Sequence, residues 1–368
     1  MKTAWRKNVI LLALMGACVL AGTRDVIRIP DKMEPLKKRW NQAFEAKKAL
    51  DQSCWIGYSI EVETESNVHI RHTAGACPTL EEILTGQTSP DEMSVRDAVR
   101  AALDQQDQES SEKIRKNMGI LFAFPKTGRK VQDCHEIRIM DFDSHCELKD
   151  RPLIWMGQAE QRESLPFLTD LYKKVDADEL KEDMVAAVAF HGKEKATVPF
   201  LKKVVESGVD EDVRQSAVFW LSQQKGGQVL DFLVDVAHGD RSEDIREHAV
   251  FAVSQVQGKT AEEALIRLAK EDKDTEVRKK AVFWLGQKAS EKATRFLKDV
   301  VEDDPDTEVK EHAVFALSQM GTRESLNALI KIAKTHPNGD VRKKAIFWLG
   351  QSDDPEAVDF LISLVRDL

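Results

Sequence analysis

Through the C-terminal half of the chain the apolar and polar positions recur every 32 residues. Val213, Ile245, Val277, Val309 and Val341 keep that spacing, and a base follows each: Arg214, Arg246, Arg278, Lys310 and Arg342. Four residues past each marker an alanine opens an apolar block. The blocks are AVFWLSQ from Ala217, AVFAVSQ from Ala249, AVFWLGQ from Ala281, AVFALSQ from Ala313 and AIFWLGQ from Ala345. Apolar residues at i, i+4, i+7 and i+8, as in Val277, Ala281, Trp284 and Leu285, predict one face of a helix. Three residues before each marker stands an N-cap type, Asp210, Ser242, Asp274, Asp306 or Asn338, able to accept from the free amides of the first turn. Asp212, Asp244, Glu276, Glu308 and Asp340 put a carboxylate where the helix dipole favours one. The helices close on Gln223, Gln255, Gln287, Gln319 and Gln351, with Gly, Ser or Asp near by to turn the chain.

A second helix follows in each period, marked by Phe232, Ala264, Phe296, Ala328 and Phe360. In the last one Asp354-Pro355 fits an N-cap with proline at the first helical position. Each period is therefore a helical hairpin, and a period of this length predicts stacked repeats. Trp220, Trp284 and Trp348 alternate with Ala252 and Ala316, so large and small layers alternate, a pattern that fills a stacked core. At this spacing the tryptophans read as core, not as an aromatic groove. The glutamine column reads as caps or as bonds to the next repeat, and the base after each marker as a partner for an adjacent acid. Upstream, Trp155 with Phe167 and Val188 with Phe200 extend the register with a slip of one residue. That predicts about seven hairpins over residues 149–368.

The D-x-x-V-R marker followed by A-x-x-x-L-G/S resembles HEAT repeats, in the short form found in phycobilin lyases and many bacterial repeat proteins. The resemblance implies a mostly α protein, an α-solenoid whose stacked hairpins offer an extended groove for a protein or peptide. It says little of function, since such repeats serve scaffolds, adaptors and a few enzymes. In deoxyhypusine hydroxylase, HEAT-like repeats carry His-Glu pairs that bind a di-iron centre. Here Glu247-His248 and Glu311-His312 have the reverse order and lie two repeats apart, with Lys279-Lys280 between them. Two stacking steps of roughly 10 Å each are too wide for shared coordination. The alternation reads instead as a charged face that pairs between neighbouring helices. Phycobilin lyases hold an open-chain tetrapyrrole, but beyond the shared repeat nothing in this chain points to a pigment.

The front of the chain has another texture. Lys2, Arg6 and Lys7 precede an apolar run from Val9 to Ala21, the form of a secretory signal over residues 1–22. The run is too short to span a bilayer comfortably. Met15-Gly16-Ala17-Cys18 makes Cys18 a candidate lipid anchor, although bacterial lipoproteins usually carry leucine where Met15 stands. The expectation is an exported protein of the bacterial periplasm or cell surface. Beyond the signal, residues 23–148 read as a small α+β domain. Asp31 to Leu50 predicts an amphipathic helix with Leu36, Trp40 and Phe44 on one face. Cys54–Val62, His69–His72, Gly119–Phe124 and Glu136–Phe142 predict strands of a small antiparallel sheet. A further helix is expected around Val95–Leu103, followed by a polar tract to Ser111. Cys54, Cys77, Cys134 and Cys146 all lie in this domain, and an even set in an exported protein predicts two disulfides. Of the three pairings, Cys54–Cys77 with Cys134–Cys146 is the local one.

The net charge of −9, with a pI near 5.6 and no basic run, argues against a nucleic-acid partner. Cys134-His135 and His145-Cys146 have the residue types of a zinc site. Neighbours on a strand point to opposite faces, however, so a disulfide is the better reading there. No Ser-His-Asp order, phosphate loop or carboxylate pair stands out, and no cofactor or metal is expected. The expected function is a non-catalytic exported scaffold or adaptor that binds another protein or peptide along the groove, with its oligomeric state open. Arg267, Lys298 and Lys331, in equivalent second-helix slots, are the candidate partner-binding residues, and Asp235 breaks their row. The alternative is an enzyme or a ligand- or metal-binding protein with its site in the N-terminal domain, where His69, His72, His135 or Asp143 would converge.

Overall fold

The computed structural model describes residues 26–29, 34–65, 78–86, 113–143, 148, 151–192, 194–224 and 226–366. The chain is mostly helical, with fifteen α-helices among the described residues in a repeated arrangement behind a small α/β region. It divides into two compact units, Met1–Thr197 and Val198–Leu368.

The first unit is built on a five-stranded sheet. Its strands are β1 (Val26–Arg28), β2 (Cys54–Glu65), β3 (Lys113–Phe124), β4 (Glu136–Asp141) and β5 (Leu153–Ala159), in the order β1-β5-β2-β3-β4. Helix α1 (Leu36–Ala49) follows β1, and the short α2 (Leu80–Thr85) follows β2. After the sheet come α3 (Gln161–Tyr172) and α4 (Asp178–Ala189). Both faces of the sheet are covered, so its inner strands are near-continuous apolar runs such as ILFAF and LIWM. On one face Trp40, Phe44, Phe122, Phe124 and Phe167 pack ring against ring, with centroids 5.1–6.1 Å apart. On the other, Trp55, Leu121, Leu153 and Trp155 pack with Leu80 and Ile83 of α2.

Several expectations are corrected here. The segment around Trp155 is a strand and not a repeat helix, and it runs parallel to both β1 and β2, so the sheet is mixed and not antiparallel. The sheet unit therefore extends past the expected boundary at 148/149, and the first of the seven expected hairpins is not formed. The expected pairs Cys54–Cys77 and Cys134–Cys146 are also not formed: among the described residues Cys54 and Cys134 are free thiols, both buried. Cys54 lies on the aromatic face of β2, opposite Phe124 of β3, and the Cys134 thiol donates to the Glu136 carbonyl at 3.4 Å. Cys77 and Cys146 lie outside the described residues, as do the expected signal at 1–22, Cys18, His69, His72, His145 and the helix expected at 95–103.

A bulge in β5 is held by a buried base. Gly157 has a φ of +76°, open to glycine at little cost. The Arg39 guanidinium of α1 donates to the carbonyls on either side of it, Met156 at 2.5 Å and Gln158 at 3.0 Å.

In the second unit α5 (Thr197–Glu206) is followed by five hairpins. The first helices are α6 (Glu211–Ser222), α8 (Glu243–Gln255), α10 (Thr275–Lys288), α12 (Thr307–Gln319) and α14 (Gly339–Gly350). The second helices are α7 (Gly227–Gly239), α9 (Lys259–Glu271), α11 (Glu291–Asp303), α13 (Arg323–Thr335) and α15 (Pro355–Arg366). Each first helix packs on the next first helix, and each second helix on the next second helix. The marker residues Val213, Ile245, Val277, Val309 and Val341 are fully buried, as are the alanines that open the apolar blocks. All five expected N-caps accept from an amide of the first turn.

Three of the bases after the markers pair with an acid at a helix end, and the acid met by Arg246 belongs to the next repeat. Arg214 pairs with Asp240, Arg246 with Asp274 at 2.6 Å, and Arg278 with Asp304 at 3.4 Å. Asp240, Asp272 and Asp304 cap the ends of second helices at the same slot, and each accepts from the amide two residues on at 2.9 Å. In the last repeat His336 takes that place, and its Nδ1 accepts from the Asn338 amide at 3.2 Å. At Gly286 the helices α10 and α12 come so close that a Cβ would stand 2.9 Å from Ala316 Cβ and 3.0 Å from the Ala316 carbonyl oxygen.

Candidate functional site

A groove of about 770 Å3 opens on the second unit. It crosses four successive first helices, α6, α8, α10 and α12. Its floor is aromatic: Phe251, Phe283, Trp284 and Phe315 line it. These rings form part of a longer ribbon. Phe251 meets Trp284 at 5.0 Å, Trp284 meets Phe283 at 5.0 Å, and Phe283 stacks on Phe315 at 6.3 Å. Phe315 meets Trp348 at 4.8 Å, and Trp348 meets Phe347 at 5.1 Å. The phenylalanines occupy one slot of the apolar block: Phe219, Phe251, Phe283, Phe315 and Phe347 are 32 residues apart. The three inner ones are half-buried, while Phe219 and Phe347 are 36% and 54% exposed.

The tryptophans are therefore not core residues. Trp220, Trp284 and Trp348 are half-buried, and Trp284 lines the groove. The buried layers are made by Ala252, Ala316 and the residues around them.

One wall of the groove is charged. Lys279 reaches both Glu276 at 2.7 Å and Glu308 at 3.1 Å, and Lys280 reaches Glu247 at 2.8 Å. Lys344 likewise pairs with Glu311 at 3.5 Å. The alternation of Glu-His and Lys-Lys units thus pairs charge between neighbouring first helices. His312 donates through Nδ1 to the Glu308 carbonyl at 3.0 Å, and the His248 ring stands edge-on to Phe251 at 6.2 Å. Burial lowers the pKa of His248 against the opposing pull of Asp244 and Glu247, which favours the neutral ring.

The residues expected to bind a partner lie elsewhere. Arg267 on α9 and Lys331 on α13 are exposed, and Lys298 on α11 pairs with Glu324 at 2.7 Å. All three are on second helices, and none lines the groove. Three of the column glutamines, Gln223, Gln255 and Gln319, donate to the serine that precedes each, at 3.0–3.1 Å. In the first unit, His135 and Asp143 are exposed, and the His135 ring meets Arg151 at 3.2 Å. Among the described residues no group of three or more His, Cys, Asp or Glu is placed to hold a metal ion, and no helix is long and apolar enough to cross a membrane.

The family model for HEAT repeats matches residues 230–318 and 300–367. Residues 230–367 are HEAT repeats. Several solved structures match part of the chain. The complex of CpcE and CpcF of phycocyanin lyase from Nostoc sp. PCC7120 is 19% identical, with 43% of this chain and 100% of that one covered and a TM-score of 0.33. The HEAT-like repeats protein of the archaeon Thermococcus onnurineus NA1 is 14% identical, covering 52% of this chain and 87% of that one with a TM-score of 0.30. Human deoxyhypusine hydroxylase is 16% identical, covering 51% and 84% with a TM-score of 0.28. No curated protein matches the chain.

Proposed function

We propose that this protein is a non-catalytic scaffold or adaptor, an α-solenoid that binds another protein across the first helices of its HEAT array. The observation that carries the reading is the aromatic ribbon from Phe251 to Phe347, half-exposed along successive repeats. Aromatic side chains give binding surfaces large apolar area at small entropic cost. A contiguous apolar strip rimmed by charge is the form of an interaction surface. The ribbon repeats with the array, which suits a partner that lies along several repeats. Glu247 and Glu276 of the groove are engaged by lysines, an arrangement suited to positioning more than to proton transfer.

Export belongs to the same proposal and rests on the basic and apolar segments of residues 1–22. Sequencing the N-terminus of the protein recovered from its own host tests that part. For the binding reading, the full chain and its Phe283→Ser variant are used to capture proteins from an envelope extract. A partner retained by the parent and lost by the variant supports it. A partner retained equally by both moves the binding site off the groove.

A further inference from the structure

The wall of the groove has an uneven charge balance. Seven carboxylates share two slots of the first helices: Asp244, Glu247 and Glu276 line the groove, Asp212, Glu308 and Asp340 hold the slot of Asp244 in other repeats, and Glu311 holds that of Glu247. Every lysine of that face is already engaged: Lys279 with Glu276 and Glu308, Lys280 with Glu247, Lys343 with Asp340 at 3.0 Å and Lys344 with Glu311. Asp212 and Asp244 remain, exposed and without a basic partner among the described residues. Both lie at one end of the aromatic ribbon, on α6 and α8. An anionic partner would meet these two charges and have to break the existing pairs, which is costly.

The groove also crosses four helices. Neighbouring helices lie about 8–10 Å apart, so a ligand that touches all four spans roughly 24–30 Å. An extended chain covers that distance in about seven to nine residues.

We infer that the groove takes an extended polypeptide segment with apolar and basic side chains, its basic group lodged at Asp212 and Asp244 and its apolar groups over Phe251, Phe283 and Phe315. The inference rests on the reading of the array as a protein-binding scaffold. A cation set between a carboxylate and an aromatic face gains from both. The orientation follows from the same asymmetry, because the unpaired carboxylates stand only at the α6–α8 end.

The test is to pan a phage-displayed library of random peptides about nine residues long, the span set above, on three full-length proteins. These are the parent, Phe283→Ala, and the double variant Asp212→Asn, Asp244→Asn, whose exposed substitutions leave the core untouched; circular dichroism checks that each is folded. The expected result is enrichment of peptides that combine Lys or Arg with apolar residues. Such a peptide, resynthesised, should bind the double variant roughly tenfold more weakly, the effect of two exposed charge contacts. Enrichment of acidic or uncharged apolar peptides that are lost on Phe283→Ala overturns the charge inference and leaves the scaffold reading standing. Basic peptides that bind the double variant as tightly as the parent overturn it too. If no peptide is enriched on the parent over Phe283→Ala, the inference and the groove reading both fail.

Discussion

The Phe251 ring of α8 lies 5.0 Å from the Trp284 ring of α10, tilted by 41°, and two repeats on Phe315 and Trp348 repeat the contact at 4.8 Å with the same tilt. Trp284 and Trp348 each bridge from their own phenylalanine to that of the preceding repeat. The contact joins two repeats, and it should be measurable as a coupling. Trp284→Ala is expected to destabilise the array by about 2–3 kcal/mol, less than a fully buried tryptophan would. A double-mutant cycle with Phe251→Ala should return about 0.5–1.5 kcal/mol of coupling in urea unfolding. Strict additivity would mean that the rings merely lie near each other.

The slot occupied by Gly286 in α10 and Gly350 in α14 is the same slot of the repeat, yet the two glycines meet different neighbours. At Gly286 an added Cβ would strike Ala316, including its backbone oxygen at 3.0 Å, whereas at Gly350 nothing lies within 4 Å. Gly286→Ala should therefore cost about 1–3 kcal/mol, because backbone cannot step aside as a side chain can. Gly350→Ala should be neutral or stabilise by up to about 1 kcal/mol through helix propensity. Paired thermal melts check this, and equal effects at the two sites would refute the close approach of α10 and α12.

Much of the repeat was legible in the sequence for a local reason. Caps such as Asp274 and markers such as Val277 act within one helix turn, and the 32-residue beat multiplies that local signal five times. The groove was less legible. A period says which positions recur, but not which side of a hairpin the next repeat covers, so Trp284 read as core although it lines the groove. The Phe219-to-Phe347 column was present in the same blocks, and its exposure depends on packing between repeats. Trp155 shows the opposite hazard. Its distance from Phe167 matched the repeat, while LIWMGQA was free to form β5 because both faces of the sheet are covered and alternation is lost. The Asp240, Asp272 and Asp304 caps could have been found from their own 32-residue spacing.

The two described cysteines give a chemical test of the first unit. Burial pushes the Cys54 thiol up to about 11 against the pull of Lys47, and pushes Cys134 up to about 12 against backbone hydrogen bonds to Glu136 and Ala123. A buried thiol that is not ionised is a poor nucleophile. Iodoacetamide should leave both untouched in the folded protein near neutral pH and modify both in denaturant without a reductant. Peptide mass mapping reads the result. Modification of either residue only after reduction would show that it is bridged, and would restore the disulfide expectation.

The last prediction concerns acid stability of the first unit. Burial, aided by Glu182 and Glu136, raises the Asp183 carboxyl of α4 to about 6, and a hydrogen bond from the Ile137 amide opposes the rise. The folded state therefore binds the proton more readily than the unfolded chain between about pH 6 and 4, so this group stabilises the fold as pH falls. Above that window the carboxylate is charged at a half-buried site and costs stability. Asp183→Asn keeps an acceptor for Ile137 and removes the charge. It should be more stable than the parent near pH 8 by about 1–2 kcal/mol, a value discounted for the partial exposure of the site. The gain should shrink as the pH falls through about 6 and be nearly gone near pH 4. His191 works in the opposite direction. Burial lowers it to about 4 against the Ala187 and Val188 carbonyls, so the unfolded chain takes up that proton first and the fold loses stability from about pH 6.5 downward. That loss is common to parent and variant and cancels in their difference. Urea midpoints of both proteins from near pH 8 to near pH 4 decide the matter, and a gain that is absent at the upper end, or unchanged across the range, would remove Asp183 from the account.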